Sequence, residues 1–258
     1  MSEVPWLTIV TVVKDDLPGL EKTIRSLVEQ VDLSGVEYLV IDSSENSPAV
    51  EAAVKVSMLT GARFSWCEPQ GIYTAMNTGL DLARGKYIYY LNAGDLLADP
   101  QVIADLKQTI EAVDPVWVVG RVEISEVSGK TVVSKSWDYH AEKRARFARG
   151  VFPPHQGTIV RTESLRTVGG FDGQFVIAAD YAAALSLSLV SDPFMTDRVI
   201  ATFFEGGVST ERWQDSFREF DQARQLILKP QGFASLVERF HYGKHFASVW
   251  LVRNLRRS

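Results

Sequence analysis

At 258 residues, with 46% hydrophobic and 23% charged side chains, the chain has ordinary globular composition and the length for one large α/β domain or two small ones, which excludes a disordered or fibrous protein. The net charge of −5 argues against wholesale nucleic-acid binding, and the single cysteine, Cys67, excludes an internal disulfide framework and fits a reducing compartment. No uncharged stretch reaches spanning length, since even Ala182 to Val190 is too short, and Met1-Ser2-Glu3 is not the basic leader of a signal peptide, so a cytoplasmic protein is expected.

The first hundred residues alternate strand-like runs with helical periodicity, the pattern of an α/β protein with a Rossmann-like, mostly parallel sheet. The apolar run Trp6 to Val13 predicts a first strand, and a helix follows from about Pro18 to Gln30 with Leu20, Ile24, Leu27 and Val31 on its buried face. Tyr38 to Ile41 predicts a second strand, ending in Asp42-Ser43-Ser44, before a helix opened by Ser47-Pro48 and closed by Gly61. Arg63 to Cys67 predicts a third strand, then a turn from Glu68 to Gly71 and a helix from about Ile72 to Ala83 that Gly85 terminates. Tyr87 to Leu91 predicts a fourth, ending in Asn92-Ala93-Gly94-Asp95.

Beyond Asp99-Pro100, which opens another helix, the alternation stops. A strand from Val116 to Glu123 leads to a hairpin at Ser128-Gly129 and a return through Val133. Lys143 to Arg149 carries charge without apolar periodicity and reads as a loop. The last third predicts a strand at Thr158 to Val160, a helix near Thr162 to Val168, the turn Gly169 to Asp172 and a helix from about Asp180. Two more helices are expected, from about Glu211 to Leu228 and from Phe233 to the end.

Ligands of an open α/β sheet bind beyond the carboxyl ends of its strands. Here those positions are Thr11 to Asp15, Asp42 to Ser44, Glu68 to Gly71 and Asn92 to Asp95, four ends rich in small, polar or acidic groups as a nucleotide site requires, although each alone also suits a turn or cap. Neither G-x-x-x-x-G-K-[ST] nor a G-x-G-x-x-G after the first strand is present, so a P-loop enzyme and a nicotinamide dehydrogenase lack support. His155, His241 and His245 have no zinc spacing around them.

Taken together, T-I-V-T-V-V-K-D-D, the run from Leu39 to Ser44, E-P-Q-G-I-Y-T-A-M-N-T-G from Glu68, G-K-Y-I-Y-Y-L-N-A-G-D from Gly85, P-H-Q-G-T from Pro154, G-G-F-D from Gly169, A-A-D-Y from Ala178 and G-G-V-S from Gly206 resemble the family 2 glycosyltransferases of bacterial polysaccharide synthesis, which have the GT-A fold. The resemblance implies that Thr11, Lys14 and Asp42 hold the base and ribose of a nucleotide-sugar donor; an Asp42 that merely forms a turn is the alternative. It implies that Gly71 lets backbone and a helix N-terminus approach the diphosphate, with Asn77 reaching the donor unless it lies on an exposed helix face. Where the family carries a D-x-D-type cluster, this chain has one carboxylate: Asp95 is expected to ligate Mn2+ or Mg2+, Asn92 to contribute from the donor side, and a turn capped by Asp95 or metal independence stays open. Asp180 stands where the family places the acceptor-side base, a position a helix cap would also fill. His155 and Gln156 are assigned to the diphosphate or acceptor, against a buried, satisfied histidine.

The implied reaction is inverting hexosyl transfer from a nucleoside-diphosphate sugar, expected to be UDP-linked, to a saccharide or lipid-linked acceptor. A nucleotidyltransferase or a non-catalytic sugar-nucleotide-binding subunit are the other readings. Residues 1–210 form the expected GT-A domain, with a nucleotide half of about 1–98 and an acceptor half of about 99–210, and 211–258 a helical extension. That extension mixes Val237, Phe240, Phe246 and Trp250 with Lys244, Arg253, Arg256 and Arg257, with no acid after Arg239, which suits peripheral contact with an anionic inner-membrane face or packing on a protein surface.

Overall fold

Seven buried residues in a row, Leu7–Val13, form β1 of the computed structural model. A run with no polar face belongs in a sheet covered on both sides. Residues 4–57, 59, 61–125, 129–135, 138–204, 212–229, 240 and 243 are described. The G-G-V-S motif lies outside them, as does the expected tail helix apart from residues 240 and 243.

The chain continues through α1 (Leu17–Val28), β2 (Val36–Asp42), α2 (Ser47–Val56), β3 (Arg63–Trp66), α3 (Ile72–Leu82), β4 (Tyr87–Tyr90) and β5 (Leu96–Leu97). It then forms α4 (Val102–Val113), β6 (Trp117–Ser125), β7 (Thr131–Val133), α5 (Tyr139–Ala148), a 3-10 turn at His155–Gly157, β8 (Thr158–Arg161), α6 (Thr162–Thr167), α7 (Ala179–Val190), β9 (Phe194–Phe204) and α8 (Trp213–Leu228). Among the described residues the strands make one mixed sheet in the order β3-β2-β1-β4-β8-β6-β9-β5, with β7 beside β6. β1, β2, β3 and β4 are parallel, and β8 is antiparallel to both β4 and β6.

Side chains alternate across this sheet into two cores. Ile9, Val40, Leu20 and Leu106 pack under α1, α2 and α4, while Val10, Ile41, Met76 and Tyr181 pack on the other face with α3 and α7. The chain leaves β1 for β2 and β3 on one side and returns with β4 on the other, so the order reverses at β1. A crevice opens at such a reversal. The register pairs Val13 with Asp42 and Val10 with Tyr90, bringing Lys14, Ser43 and Asn92 to one edge.

Several expectations change. Lys143 to Arg149 is not a loop but most of α5: Asp138 Oδ1 caps Ala141 N at 3.1 Å, Arg146 pairs with Glu142, and the large buried side chains among its described residues are Tyr139 and Phe147. Two apolar residues leave too little periodicity to read. β9, eleven residues absent from the sequence reading, sets Asp197 and Arg198 among mostly half-buried positions, buries Ile200 and Ala201, and runs between β6 and β5. Ser47 does not cap α2, whose N-cap is Asn46 without a side-chain bond. Val31 is 58% exposed because α1 ends at Val28. Gly85 stands past the end of α3 for want of room: a Cβ there would lie 2.4 Å from the Thr8 nitrogen.

Candidate active site

The loop after β1 is tied to the loop after β2. Asp15 takes a left-handed φ of 53°, which lets its N–H donate to Ser44 Oγ at 2.7 Å while its Oδ1 accepts from Glu45 N at 2.9 Å. Asp16 caps α1 through Gly19 N at 2.9 Å. Beyond these loops a cleft of about 300 Å3 is lined by Lys14, Asp16, Ser43, Gly71, Ile72 and Asn92. Gly71 has φ 104°, a conformation that favours glycine, and stands as N-cap of α3 at the cleft wall. The buried Asp42 spends Oδ1 on Ser44 N at 2.9 Å, and its Oδ2 has no hydrogen-bond partner among the described residues. A buried oxygen left unpaired costs stability unless a ligand supplies the donor.

At the end of β4 the chain turns through Asn92-Ala93-Gly94-Asp95, closed by Asp95 N donating to Asn92 O at 2.9 Å. Gly94 holds φ 93°, so the turn itself demands glycine where an acid would strain it. Burial raises the Asp95 carboxyl from the ordinary 3.8 to about 6, against the opposing pull of His155, the Gln156 side chain and the Asn92 backbone. Asn92 Oδ1 is a second buried oxygen with no partner among the described residues.

The 3-10 turn carrying His155 and Gln156 is held from below by Tyr89, whose hydroxyl donates to Gln156 O at 2.8 Å. The Asn92 amide Nδ2 lies 3.1 Å from His155 Nε2, and His155 Nδ1 lies 3.7 Å from Asp180 Oδ2. With Nδ2 donating, Nε2 accepts, and the ring proton sits on Nδ1 facing Asp180. Asp180 is the second residue of α7 and not its cap, which is Ala178. Its Oδ1 accepts from Tyr181 N at 2.8 Å and faces the Tyr73 hydroxyl at 3.1 Å, so Oδ2 is the oxygen left to act. Tyr73 also donates to Ile177 O at 2.7 Å, and burial, then Asp180, keeps its hydroxyl protonated.

The structure therefore gathers Asn92, Asp95, His155, Gln156 and Asp180 into one cluster beside the cleft that Lys14 and Gly71 line, with Asp42 behind it. Two expected donor contacts fall elsewhere. Thr11 is fully buried, its hydroxyl donating to Leu91 O at 2.7 Å and accepting from Tyr38 at 3.1 Å, because it points into the core under α1. Asn77 spends its whole amide on the backbone of Phe171, donating to the carbonyl at 2.7 Å and accepting the N–H at 2.9 Å, so it pins the Gly169–Asp172 turn. Tyr73 was missed, although it stands inside the E-P-Q-G-I-Y run, two residues past Gly71.

The glycosyl transferase family 2 profile matches residues 8–169, well over half the chain. The chain belongs to glycosyl transferase family 2. An uncharacterized glycosyltransferase of Mycobacterium tuberculosis strain H37Rv is 28% identical over 228 residues, 82% of this chain and 80% of the relative. A PGL/p-HBAD biosynthesis glycosyltransferase of Mycobacterium bovis BCG is 27% identical over 150 residues, 54% of each. The fold matches residues 1–349 of S. aureus TarS bound to UDP-GlcNAc (TM-score 0.66, 13% identity, 93% of this chain and 71% of that one) and Pyrobaculum calidifontis mannosyltransferase PcManGT with GDP-Man and Mn2+ (TM-score 0.65, 16% identity, 98% and 76%). The chain spans 42% of the longer TarS chain. These likenesses make the architecture a GT-A fold.

For a family 2 glycosyltransferase the donor set at the β4 turn fits a hard divalent cation in one respect and falls short in another. Asp95 and the unpartnered Asn92 Oδ1 are hard oxygens on one turn, and Mg2+ or Mn2+ is commonly held by one or two carboxylates with phosphate oxygens and waters completing the shell. Among the described residues no group of three acidic, histidine or cysteine side chains could hold an ion alone. The fit is to a cation that arrives with a diphosphate.

Proposed function

We propose that this enzyme is an inverting hexosyltransferase that moves a sugar from a UDP-linked donor to an acceptor hydroxyl during polysaccharide or glycolipid assembly. The observation that carries the reading is the convergence of the Asp95 turn after β4 and of Asp180 at the start of α7 on the single imidazole of His155. The donor nucleotide lies in the cleft beyond β1 and β4, its base and ribose meeting Lys14 at the cleft wall, with the buried Asp42 directly behind Ser43, and its diphosphate meeting Gly71 and the α3 N-terminus. Relatives bound to UDP, UDP-GlcNAc and GDP-Man with Mn2+ support a nucleotide-sugar donor.

Bound at Asp95 and Asn92, Mn2+ or Mg2+ would neutralise charge on the leaving diphosphate. Asp180 Oδ2 takes the acceptor hydroxyl proton as that oxygen bonds to the anomeric carbon, while the bond from that carbon to the diphosphate breaks and its electron pair leaves with the nucleotide. Attack from the face opposite the leaving group inverts the anomeric centre. His155 faces the Asp180 carboxylate at 3.7 Å, and the Gln156 side chain bonds the Asp95 carboxylate. A cavity of about 440 Å3 lined by Arg121, Phe152, Pro153 and Pro154 runs up to the residue before His155, which supports a saccharide acceptor, free or lipid-linked, on that side.

Among the described residues no helix is long and apolar enough to cross a membrane. The apolar and basic tail supports peripheral attachment at the inner membrane face, where a lipid-linked acceptor would be met. The test is incubation with UDP-hexoses and Mn2+. Release of UDP supports the proposal; tight binding without release favours a non-catalytic subunit, and pyrophosphate from UTP a nucleotidyltransferase.

A further inference from the structure

Asp180 sits at the start of α7 on a short segment whose backbone donors turn away from the sheet. Three consecutive N–H groups there, of Val176, Ile177 and Ala178, are received by one carboxylate from far along the chain: Glu219 Oε1 accepts from Val176 at 3.2 Å, and Oε2 accepts from Ile177 at 2.8 Å and Ala178 at 2.9 Å. Glu219 belongs to α8, outside both the family match and the expected catalytic domain. The opposite side of the same segment is held by Tyr73, which donates to Ile177 O. The base is thus gripped between the helix at the donor cleft and the last described helix.

α8 is built to deliver that carboxylate accurately. Phe220 packs on the Tyr181 ring at 4.7 Å, and Gly150 lies so close to Phe220 that a Cβ would come within 2.5 Å of its ring. Ala223 and Arg224 are buried, and Arg224 donates to Asp221 Oδ1 at 3.0 Å while its other nitrogen lies 3.4 Å from Phe147 O. A carboxylate accepting three backbone N–H groups makes charge-assisted bonds, roughly twice as strong as neutral ones, so the segment follows α8 wherever α8 goes.

We propose that Glu219 is a positioning residue for Asp180, and that α8 belongs to the catalytic domain as the clamp that sets the base. The inference rests on the reading of Asp180 as base. Its function is to keep Asp180 Oδ2 turned toward the acceptor, and misplacement of a reacting group by about 1 Å costs about a hundredfold in rate.

The experiment uses the full chain with Glu219→Ala and Glu219→Gln, and Asp180→Asn as control. Amide hydrogen exchange at 176–178 is measured with Val40 in β2 as the reference for global stability, alongside UDP affinity in Mn2+ and turnover of a UDP-hexose. In Glu219→Ala, exchange at the three amides should accelerate about tenfold or more with Val40 unchanged, as loss of charge-assisted bonds requires. Turnover should fall about a hundredfold, with UDP affinity held within about twofold because no donor contact is touched. Glu219→Gln keeps an acceptor oxygen for Ile177 and Ala178 and should recover most of both losses. Wild-type exchange in Glu219→Ala, or faster exchange with undiminished turnover, would overturn the clamp. Full turnover in Asp180→Asn would remove the base, and with it the positioning role, whatever the exchange rates.

Discussion

His155 Nδ1 stands 3.7 Å from Asp180 Oδ2, and the same ring takes the Asn92 amide on its other nitrogen. One imidazole therefore links the turn after β4 to the start of α7, and its tautomer is set from the Asn92 side.

On the proposed function that arrangement separates donor binding from proton removal. Asp180→Asn keeps the shape of the side chain and removes the acceptor for the proton, so turnover should fall by about 10²- to 10⁴-fold. UDP affinity, measured by calorimetry with Mn2+, should stay within about twofold, because the nucleotide cleft is lined from β1, β2, α3 and the β4 turn and not from α7. Loss of both together would mean that the fold, and not the chemistry, had been disturbed.

Tyr73→Phe removes one hydroxyl that serves two acceptors, Ile177 O and Asp180 Oδ1. The ring stacks against Phe171 at 5.8 Å and the phenyl keeps that contact, so the expected loss of stability is about 1 kcal/mol, one net hydrogen bond. Turnover should fall about tenfold at constant donor KM, because the oxygen of Asp180 that faces Tyr73 is freed to rotate. A raised donor KM with unchanged kcat would instead make Tyr73 a donor contact.

Much of the nucleotide half was legible in the sequence because buried parallel strands read as apolar runs, with polar groups at their carboxyl ends: Val13 gives way to Lys14, Ile41 to Asp42 and Leu91 to Asn92. The chain beyond Pro100 was harder. β9 mixes Asp197 and Arg198 into a strand that fully buries only Ile200 and Ala201 of its eleven residues, and α5 places two side chains, Tyr139 and Phe147, in the core cluster. Thr11 and Asn77 carry the family motif without reaching the cleft, since a motif fixes which residue occupies a position and not whether its polar atoms are spent on the fold. Glu219 left no local signal at all: its partners lie 41 to 43 residues earlier.

The Asn77 amide makes its own prediction. Asn77→Ala leaves the Phe171 N–H and carbonyl without their partner, which should cost about 1–3 kcal/mol of stability in chemical denaturation. Donor affinity should change by less than about twofold in the folded protein, because the amide faces the Gly169–Asp172 turn. A tenfold weaker UDP-hexose complex would return Asn77 to the donor site.

The pH dependence of Asp95 carries the sign by which a metal site differs from a structural turn. Its carboxyl titrates at about 6 in the folded protein against the ordinary 3.8, so between those values the folded state holds the proton that the unfolded state has lost. Stability then falls as pH rises through this window, and above about pH 6 the buried charge costs about 3 kcal/mol in the absence of a cation. Asp95→Asn mimics the protonated side chain. Metal-free, the variant should therefore be more stable than wild type at pH 8 and equal to it near pH 3.5, read as denaturant midpoints. Mn2+ with UDP should stabilise wild type at pH 8 and lose affinity about tenfold per pH unit below pH 6, as protons compete for the same oxygens. The variant should show neither effect. Equal stability of the two proteins at pH 8 would mean that Asp95 is a well-solvated turn residue, and the cation would have to be held elsewhere.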